Sequence, residues 1–203
     1  VAVPSQDMVL GIYYLTQERE GAVGEGKFFK SINEAILAYE NTACTLHSRI
    51  KIRISKKIDG EVVTDIVEST LGRFIFNEIL PQDLGYVDRS KKENALKLEV
   101  DFHVGKKGLK QILERVINTH GASKTAEVLD SIKLTGYKYS TRAAMTVSIS
   151  DMTVPEQKQE MLDKAQATVD KISQNYRRGL ITEEERYRAV VETWNETDKE
   201  LTE

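Results

Sequence analysis

Two stretches near the end of the chain, residues 155–176 and 182–201, fold back on each other around Arg177-Arg178-Gly179-Leu180 and constrain the architecture more than any other feature. In the first arm the apolar residues fall at Leu162, Ala165, Val169, Ile172 and Tyr176. Alternating steps of three and four keep one stripe facing a partner helix, as in a coiled coil. Tyr187, Val190, Val191, Trp194 and Leu201 continue a similar stripe in the second arm. Gly179 suits the left-handed position past a helix end, and Thr182 with Glu185 forms a T-x-x-E capping box that starts the return helix. A capped, charged antiparallel hairpin of this kind is expected to protrude as a docking post.

Charge divides along the same line. The chain has 203 residues, 29 basic and 32 acidic, for a formal net charge of -3. From Pro155 onward there are 8 Lys/Arg and 12 Asp/Glu, which makes the hairpin about -4 and the remainder about +1. So even a balance does not argue for tight nucleic-acid binding, and an acidic post favours a basic protein partner. With 40% hydrophobic and 30% charged residues the chain can bury a core. The single cysteine, Cys44, excludes an internal disulfide and fits a reducing compartment. No apolar run is long enough to span a bilayer, so a cytoplasmic location is expected. A first residue of Val1 and an uncapped end after Leu201 give the expectation of a segment from a longer chain.

The first 153 residues read as a mixed body, so the fold class is α+β: helices and strands, then the helical hairpin. Ser5 is placed to cap a first helix bearing Met8, Val9, Ile12 and Leu15. Gly21, Gly24 and Gly26 mark a loop. Ser31 and Glu34 form a capping box for a helix through Ile32, Ala35, Ile36 and Tyr39. Arg49-Ile50-Lys51-Ile52-Arg53-Ile54 alternates as a half-buried strand does, Asp59-Gly60 is a favoured hairpin turn, and residues 61–67 return. Residues 70–80 read as a short helix ended by Pro81, and residues 82–105 as extended and loop-rich. A helix over 106–120 (Leu109, Ile112, Leu113, Val116, Ile117) is expected to stop at Gly121. Another, capped by Ser123 and carrying Val128, Leu129 and Ile132, is expected to end near Gly136. Residues 139–150 read as a strand or extended turn, and the best boundary lies near Thr153.

Motifs with intrinsic chemistry are sparse. Cys44-x-x-His47 has a zinc-like spacing, but no second ligand pair follows and His103 and His120 are isolated, so a buried cysteine with an unrelated histidine is the simpler reading. A cysteine nucleophile lacks a fixed base for the same reason. No phosphate loop of either common type occurs, and Gly21, Gly24 and Gly26 read as a turn. No tight D-x-D cluster is present to hold a magnesium pair. Asp151 reads as a helix cap. Arg142 sits in a polar break where it could grip phosphate bidentately, although spacing alone favours a salt bridge. Glu183-Glu184-Glu185 complements a helix dipole; for Glu184 and Glu185 that reading and a binding role stand side by side.

Several stretches, in order along essentially the whole chain, resemble the largest (β′) subunits of bacterial DNA-directed RNA polymerases. Pro4-Ser5-Gln6-Asp7-Met8-Val9-Leu10-Gly11-Ile12-Tyr13-Tyr14-Leu15-Thr16 is similar to the segment after the family's active-site barrel. Thr70-Leu71-Gly72-Arg73-Phe74-Ile75-Phe76-Asn77 resembles its T-x-GR-x-IFN stretch. Thr141-Arg142-Ala143, with Ser150-Asp151-Met152-Thr153-Val154-Pro155, resembles the run into a helical hairpin at the rim of the secondary channel. Gly179-Leu180-Ile181-Thr182, Glu185-Arg186-Tyr187 and Trp194 resemble that hairpin's tip and second arm.

The resemblance implies a pore region over 1–153 and a rim hairpin over 154–203, beginning a funnel. Such a region walls the channel for nucleotide entry and for the RNA 3′ end extruded on backtracking, and its hairpin docks Gre-type factors. Carried over, Gln6 and Arg142 would lie on the channel side, and Thr182, Glu185 and Arg186 would belong to the docking tip. Other polymerase subunits are implied as partners, with no membrane. The family's catalytic magnesium sits on an N-A-D-F-D-G-D motif that does not occur in this sequence. The expectation is therefore a nucleotidyltransferase component with no catalysis and no cofactor of its own. Glu183 and Glu184 are acidic where relatives often carry small residues. Two competing classes are a stand-alone adaptor whose hairpin binds a partner helix, and a small hydrolase that thiol labelling of Cys44 would inactivate.

Overall fold

The computed structural model of the chain describes residues 3–58 and 61–202. It divides into two compact units, one ending at Met145 and one starting at Thr146. The first contains helix α1 (Asp7–Thr16), strand β1 (Phe28–Phe29), helix α2 (Ile32–Glu40), strands β2 (Arg49–Ile58) and β3 (Glu61–Thr70), helix α3 (Leu71–Glu78) and helix α4 (Lys106–Ala143); the second contains helices α5 (Lys158–Arg177) and α6 (Glu183–Thr202). This is the expected α+β class.

The Arg-Ile-Lys-Ile alternation makes β2, with Ile50 and Ile52 fully buried and the charged residues turned outward. It pairs antiparallel with β3 from Arg49↔Thr70 to Ile58↔Glu61, and parallel with the two-residue β1 through Phe28↔Lys51. The sheet order is β1-β2-β3. Both long strands run further than the alternation suggested, because cross-strand pairing continues past the last buried isoleucine. The expected Asp59-Gly60 turn lies outside the described residues.

Thr70 ends β3 and caps α3, its hydroxyl accepting from the Arg73 amide at 3.3 Å. Each residue of the Thr-x-Gly-Arg-x-x-Phe-Asn run then has an internal duty. A Cβ on Gly72 would sit 1.8 Å from the Leu15 carbonyl oxygen, so only glycine permits this approach to α1. Phe74 and Phe76 are buried in the core with Ile12, Leu15, Leu71, Leu109, Ile112 and Ile132; burying each such side chain is worth about 1.5–3 kcal/mol. The buried Arg73 donates to the Thr16 carbonyl (3.1 Å), Glu18 (2.8 Å) and the Asp101 carboxylate (3.2 Å). Arg49 closes the network onto Glu18 and Glu68.

Asn77 donates to the carbonyls of Arg73 and Val100 and accepts from the Val100 amide. It thereby pins the long segment 82–105, which is loop-rich as expected but not loosely solvated. Glu99 is 2% exposed and accepts from the Tyr86 amide and from Arg89, while Arg89 also donates to the carbonyls of Gln82, Asn94, Ala95 and Lys97. One buried ion pair thus replaces the secondary structure this segment lacks, satisfying backbone groups that would otherwise be stranded.

Four local expectations are corrected. Ser5 is not the cap of α1: the cap position is Gln6, with no side-chain cap bond, and Ser5 contributes only its carbonyl to the Met8 amide. Gly121 (φ 76°, ψ -177°) interrupts the helix where the stop was expected, and a second helix follows directly, but Ser123 is not its cap: Thr125 bonds back to the Gly121 carbonyl. Gly136 does not end that helix; it lies in its interior against Met8 and Gly11 of α1. Residues 139–143, read as extended, form its last turns, and Ala144 closes it in the left-handed conformation. The β-branched residues that suggest a strand, Thr146, Val147 and Ile149, lie beyond the helix, whose last turns are held by tertiary packing of Ile132, Gly136 and Tyr139 rather than by propensity.

In the second unit, Leu162, Ala165, Val169 and Ile172 of α5 face the return helix as expected, with only Ala165 fully buried. On α6 the shielded positions are Ala189, Val190, Thr193, Trp194, Thr197 and Leu201. Tyr187 and Val191, placed in the seam by spacing, are 66% and 40% exposed. Small and β-branched polar residues take the inner face where the two helices come close.

Candidate functional site

At the hairpin tip the capping chemistry is as the sequence dictates. Gly179 adopts φ 72°, its amide and that of Leu180 donating back to the carbonyls of Tyr176 (2.9 Å) and Asn175 (3.0 Å). The Glu185 amide donates to Thr182 Oγ1 (3.3 Å) and the Glu185 carboxylate accepts from the Thr182 amide (2.8 Å) and hydroxyl (3.0 Å). These bonds, backbone first, hold the Glu185 carboxyl below its ordinary range. Arg186 forks onto Glu183, lowering that carboxyl and raising its own pKa, and its guanidinium lies 5.5 Å from the Tyr176 ring centroid. Glu184 pairs with Arg188 at 3.1 Å.

Thr182, Glu185 and Arg186 are therefore brought together, and all three are also committed to the hairpin's own structure. Among the described tip residues, the exposed Arg177 and Arg178 and the apolar Leu180 and Tyr187 carry no such duty. Leu180 is 68% exposed and Tyr187 66% exposed, beside the acidic first turn of α6. Sequence reasoning missed this pair as a surface because Tyr187 satisfied the seam spacing. Its signal was Leu180, an apolar residue in a four-residue turn that has no core to enter.

In the first unit, Gln6 stands at the start of α1 with φ 50° and ψ -123°, a conformation non-glycine residues rarely adopt. Its side chain is exposed and its carbonyl accepts from the Leu10 amide at 3.0 Å. Arg142 lies in the last turn of α4, exposed, its guanidinium carbon 5.8 Å from the Tyr139 ring centroid. Among the described residues it makes no ion pair, so the salt bridge favoured by spacing is absent and its five donors are unengaged. Gln6 and Arg142 flank the crossing of α1 and α4 but share no hydrogen bond.

The remaining candidates are accounted for by packing. The Cys44 thiol is buried against the Ala35 carbonyl (3.6 Å), and burial pushes its pKa up. His47 turns the other way, its Nδ1 3.1 Å from the Gln17 carbonyl and its ring edge-on to Tyr14. Burial drives its pKa down. His103 bonds the Tyr13 carbonyl and His120 bonds Asp83. Asp151 closes a capping box with Ser148 around a single 3-10 turn, Ile149–Asp151. Among the described residues no three His, Cys, Asp or Glu side chains converge to hold a metal ion, and no helix is long and apolar enough to cross a membrane.

The chain belongs to the family described as RNA polymerase Rpb1, domain 3, whose profile matches residues 1–152. Over all 203 residues it is 65% identical to the DNA-directed RNA polymerase subunit beta′ of Lachnoclostridium phytofermentans, covering 16% of that subunit. It is 55% identical to the same subunit of Caldicellulosiruptor saccharolyticus over 203 residues, covering 18% of it. With the subunit of Acetivibrio thermocellus the identity is 52% over 202 residues, covering 17%. The chain thus spans about a sixth of the length of the curated relatives it matches.

Proposed function

We propose that this chain is the pore and rim-hairpin region of a bacterial RNA polymerase β′ subunit. Residues 1–153 form the wall of the secondary channel for nucleotides and backtracked RNA, and residues 154–203 form the docking hairpin for Gre-type factors. The observation that carries the docking half is the tip itself. Two exposed apolar side chains, Leu180 and Tyr187, stand beside an acidic helix start whose own charges are already satisfied. A factor with an apolar pocket would gain burial from Leu180 and Tyr187, and the net charge of about -4 on the hairpin as a whole would steer a basic partner toward it.

The channel half rests on Gln6 and Arg142. A strained backbone such as that of Gln6 persists only where the surroundings over-determine it, and such residues cluster at functional sites. Arg142 offers an unpaired planar guanidinium suited to the phosphate of a nucleotide or of an RNA 3′ end. Among the described residues no three His, Cys, Asp or Glu side chains are placed to hold a metal ion, and in this reading the chain carries no catalytic step. The nucleotidyl transfer and its magnesium belong to other parts of the subunit, the partners are the other polymerase subunits, and the setting is the bacterial cytoplasm.

The test is binding of a labelled Gre-type factor to the whole chain. Leu180→Ala with Tyr187→Ala should weaken it about tenfold or more with helix content unchanged, and Glu185→Lys with Arg186→Glu should abolish it. Full binding by the Leu180/Tyr187 variant would remove the docking assignment.

A further inference from the structure

β3 is the outer strand of its sheet, ten residues long, with no proline and no lysine. Its backbone orientation follows from the other side of the sheet. The Lys51 amide donates to the Lys27 carbonyl and the Arg49 carbonyl accepts from the Gly26 amide. The odd-numbered residues of β2 therefore direct their polar backbone groups away from β3. In an antiparallel ladder their partners must then do the same on the far edge. Those partners are Glu68, Ile66, Thr64 and Val62. The Ile66 amide bears this out, since it is engaged by the neighbouring Asp65 carboxylate at 2.8 Å rather than by β2.

The side chains along this edge define what could join it. Val62 and Ile66 share one face and are 71% and 54% exposed. Glu61 and Asp65, four residues apart on the other face, have no ion-pair partner among the described residues, and Glu68 is held only by Arg49 and Lys51. Every charge on β3 is negative. A second copy of the chain would bring six carboxylates together on two paired β3 edges, and like charges across a strand pair are destabilising.

The geometry points to β3 as an acceptor for an added strand from another polypeptide, one that alternates basic and β-branched residues. Two cations four apart would face Glu61 and Asp65, and branched apolar residues would cover Val62 and Ile66. Main-chain bonds to Val62, Thr64, Ile66 and Glu68 would supply the affinity, as in other strand-addition complexes. The Asp65 carboxylate stands on the Ile66 amide and must swing off it, which guards the edge against indiscriminate pairing. β2 is such an alternating strand on the inner side of β3, where Arg53 stands opposite Ile66 and Ile54 opposite Asp65; the added strand would take the register one residue over, with cations spaced as Arg49 and Arg53 are.

The probe is a fluorescent peptide with the β2 sequence, Arg-Ile-Lys-Ile-Arg-Ile-Ser-Lys-Lys-Ile, titrated with the full chain. Thr64→Pro removes an outward amide without touching the β2–β3 ladder and should weaken binding about fivefold or more, the loss of one backbone hydrogen bond together with its neighbours' alignment. Thr64→Val removes only the hydroxyl contact with Ser55 and should bind as the parent does. Equal binding by the proline variant, or by a peptide with glutamate in place of every Lys and Arg, would overturn the proposal. So would self-association of the parent chain that Thr64→Pro abolishes, since the occupant would then be a second copy.

Discussion

Gly11 and Gly136 touch backbone to backbone: a Cβ built on Gly11 would lie 1.8 Å from the Gly136 carbonyl oxygen, and one on Gly136 would lie 2.6 Å from that of Met8. Helices α1 and α4 cross at this point, and the atoms in the way are main chain that cannot rotate aside. Gly11→Ala or Gly136→Ala should each destabilise the first unit by about 1–3 kcal/mol, the usual range for overpacking, with larger losses if α1 is driven off. Urea midpoints would show it. An unchanged midpoint would mean that the crossing is looser than described.

Arg73 is 5% exposed and bridges Glu18 and Asp101. Removing Arg73 leaves Glu18 and Asp101 to Arg49 alone and takes the donor from the Thr16 carbonyl, so Arg73→Ala should cost about 1–3 kcal/mol. Burial alone would raise the Glu18 carboxyl, but Arg49 and then Arg73 outweigh it and hold the pKa below its ordinary 4.5. A lowered folded-state pKa adds stability above 4.5 that is lost as pH falls through the depressed value. Glu18→Gln should flatten the acid limb of a stability-versus-pH curve.

His47 should act at milder acidity. Burial, ahead of the charge of Arg19, keeps its pKa below the ordinary 6.5, and its Nε2 is buried without a partner. The folded state favours neutral imidazole, so the contribution is complete above 6.5 and lost as pH falls through the lowered value. His47→Gln should remove that part of the pH dependence, the loss of stability that sets in as pH falls below 6.5, measured by thermal unfolding.

Gln6 holds φ 50° without being glycine. Gln6→Gly should stabilise the first unit by about 1 kcal/mol through release of strain, read as an upward shift of the urea midpoint. A destabilised variant would show that the side chain, not the surrounding fold, keeps this conformation.

Thr182→Ala removes the side-chain half of the capping box and should cost the hairpin about 1 kcal/mol, whereas Leu180→Ala and Tyr187→Ala should shift its stability by no more than about 0.5 kcal/mol. Circular dichroism melts would separate the two classes. This contrast also makes factor binding interpretable, since losses at Leu180 or Tyr187 could not be assigned to an unfolded tip.

Local chemistry was written in the sequence wherever one residue's neighbours along the chain satisfy it. The Thr182–Glu185 box, Gly179 at the turn, Ser31 over Glu34, Thr70 over Arg73 and the Arg-Ile alternation of β2 all form as the order of residues requires, because caps and cross-strand periodicity depend on contacts a few residues apart. The family was legible too, in motifs such as Thr70-Leu71-Gly72-Arg73. Other features waited on the tertiary structure. Gly136 looked like a helix end because glycine is a poor helix former, yet α1 passes so close that no other residue fits. Residues 139–143 precede a β-branched run (Thr146, Val147, Ile149) that reads as extended, but they are helical because α4 lies against α1. The Tyr187 spacing fits a seam, but two helices can shield only one face, and small residues at Ala189 and Thr193 took it. Segment 82–105 carried no periodic signal, since what orders it is the buried Glu99–Arg89 pair and Asn77. Patterns of short range could be read along the chain; close approaches and burial depend on which distant segments meet.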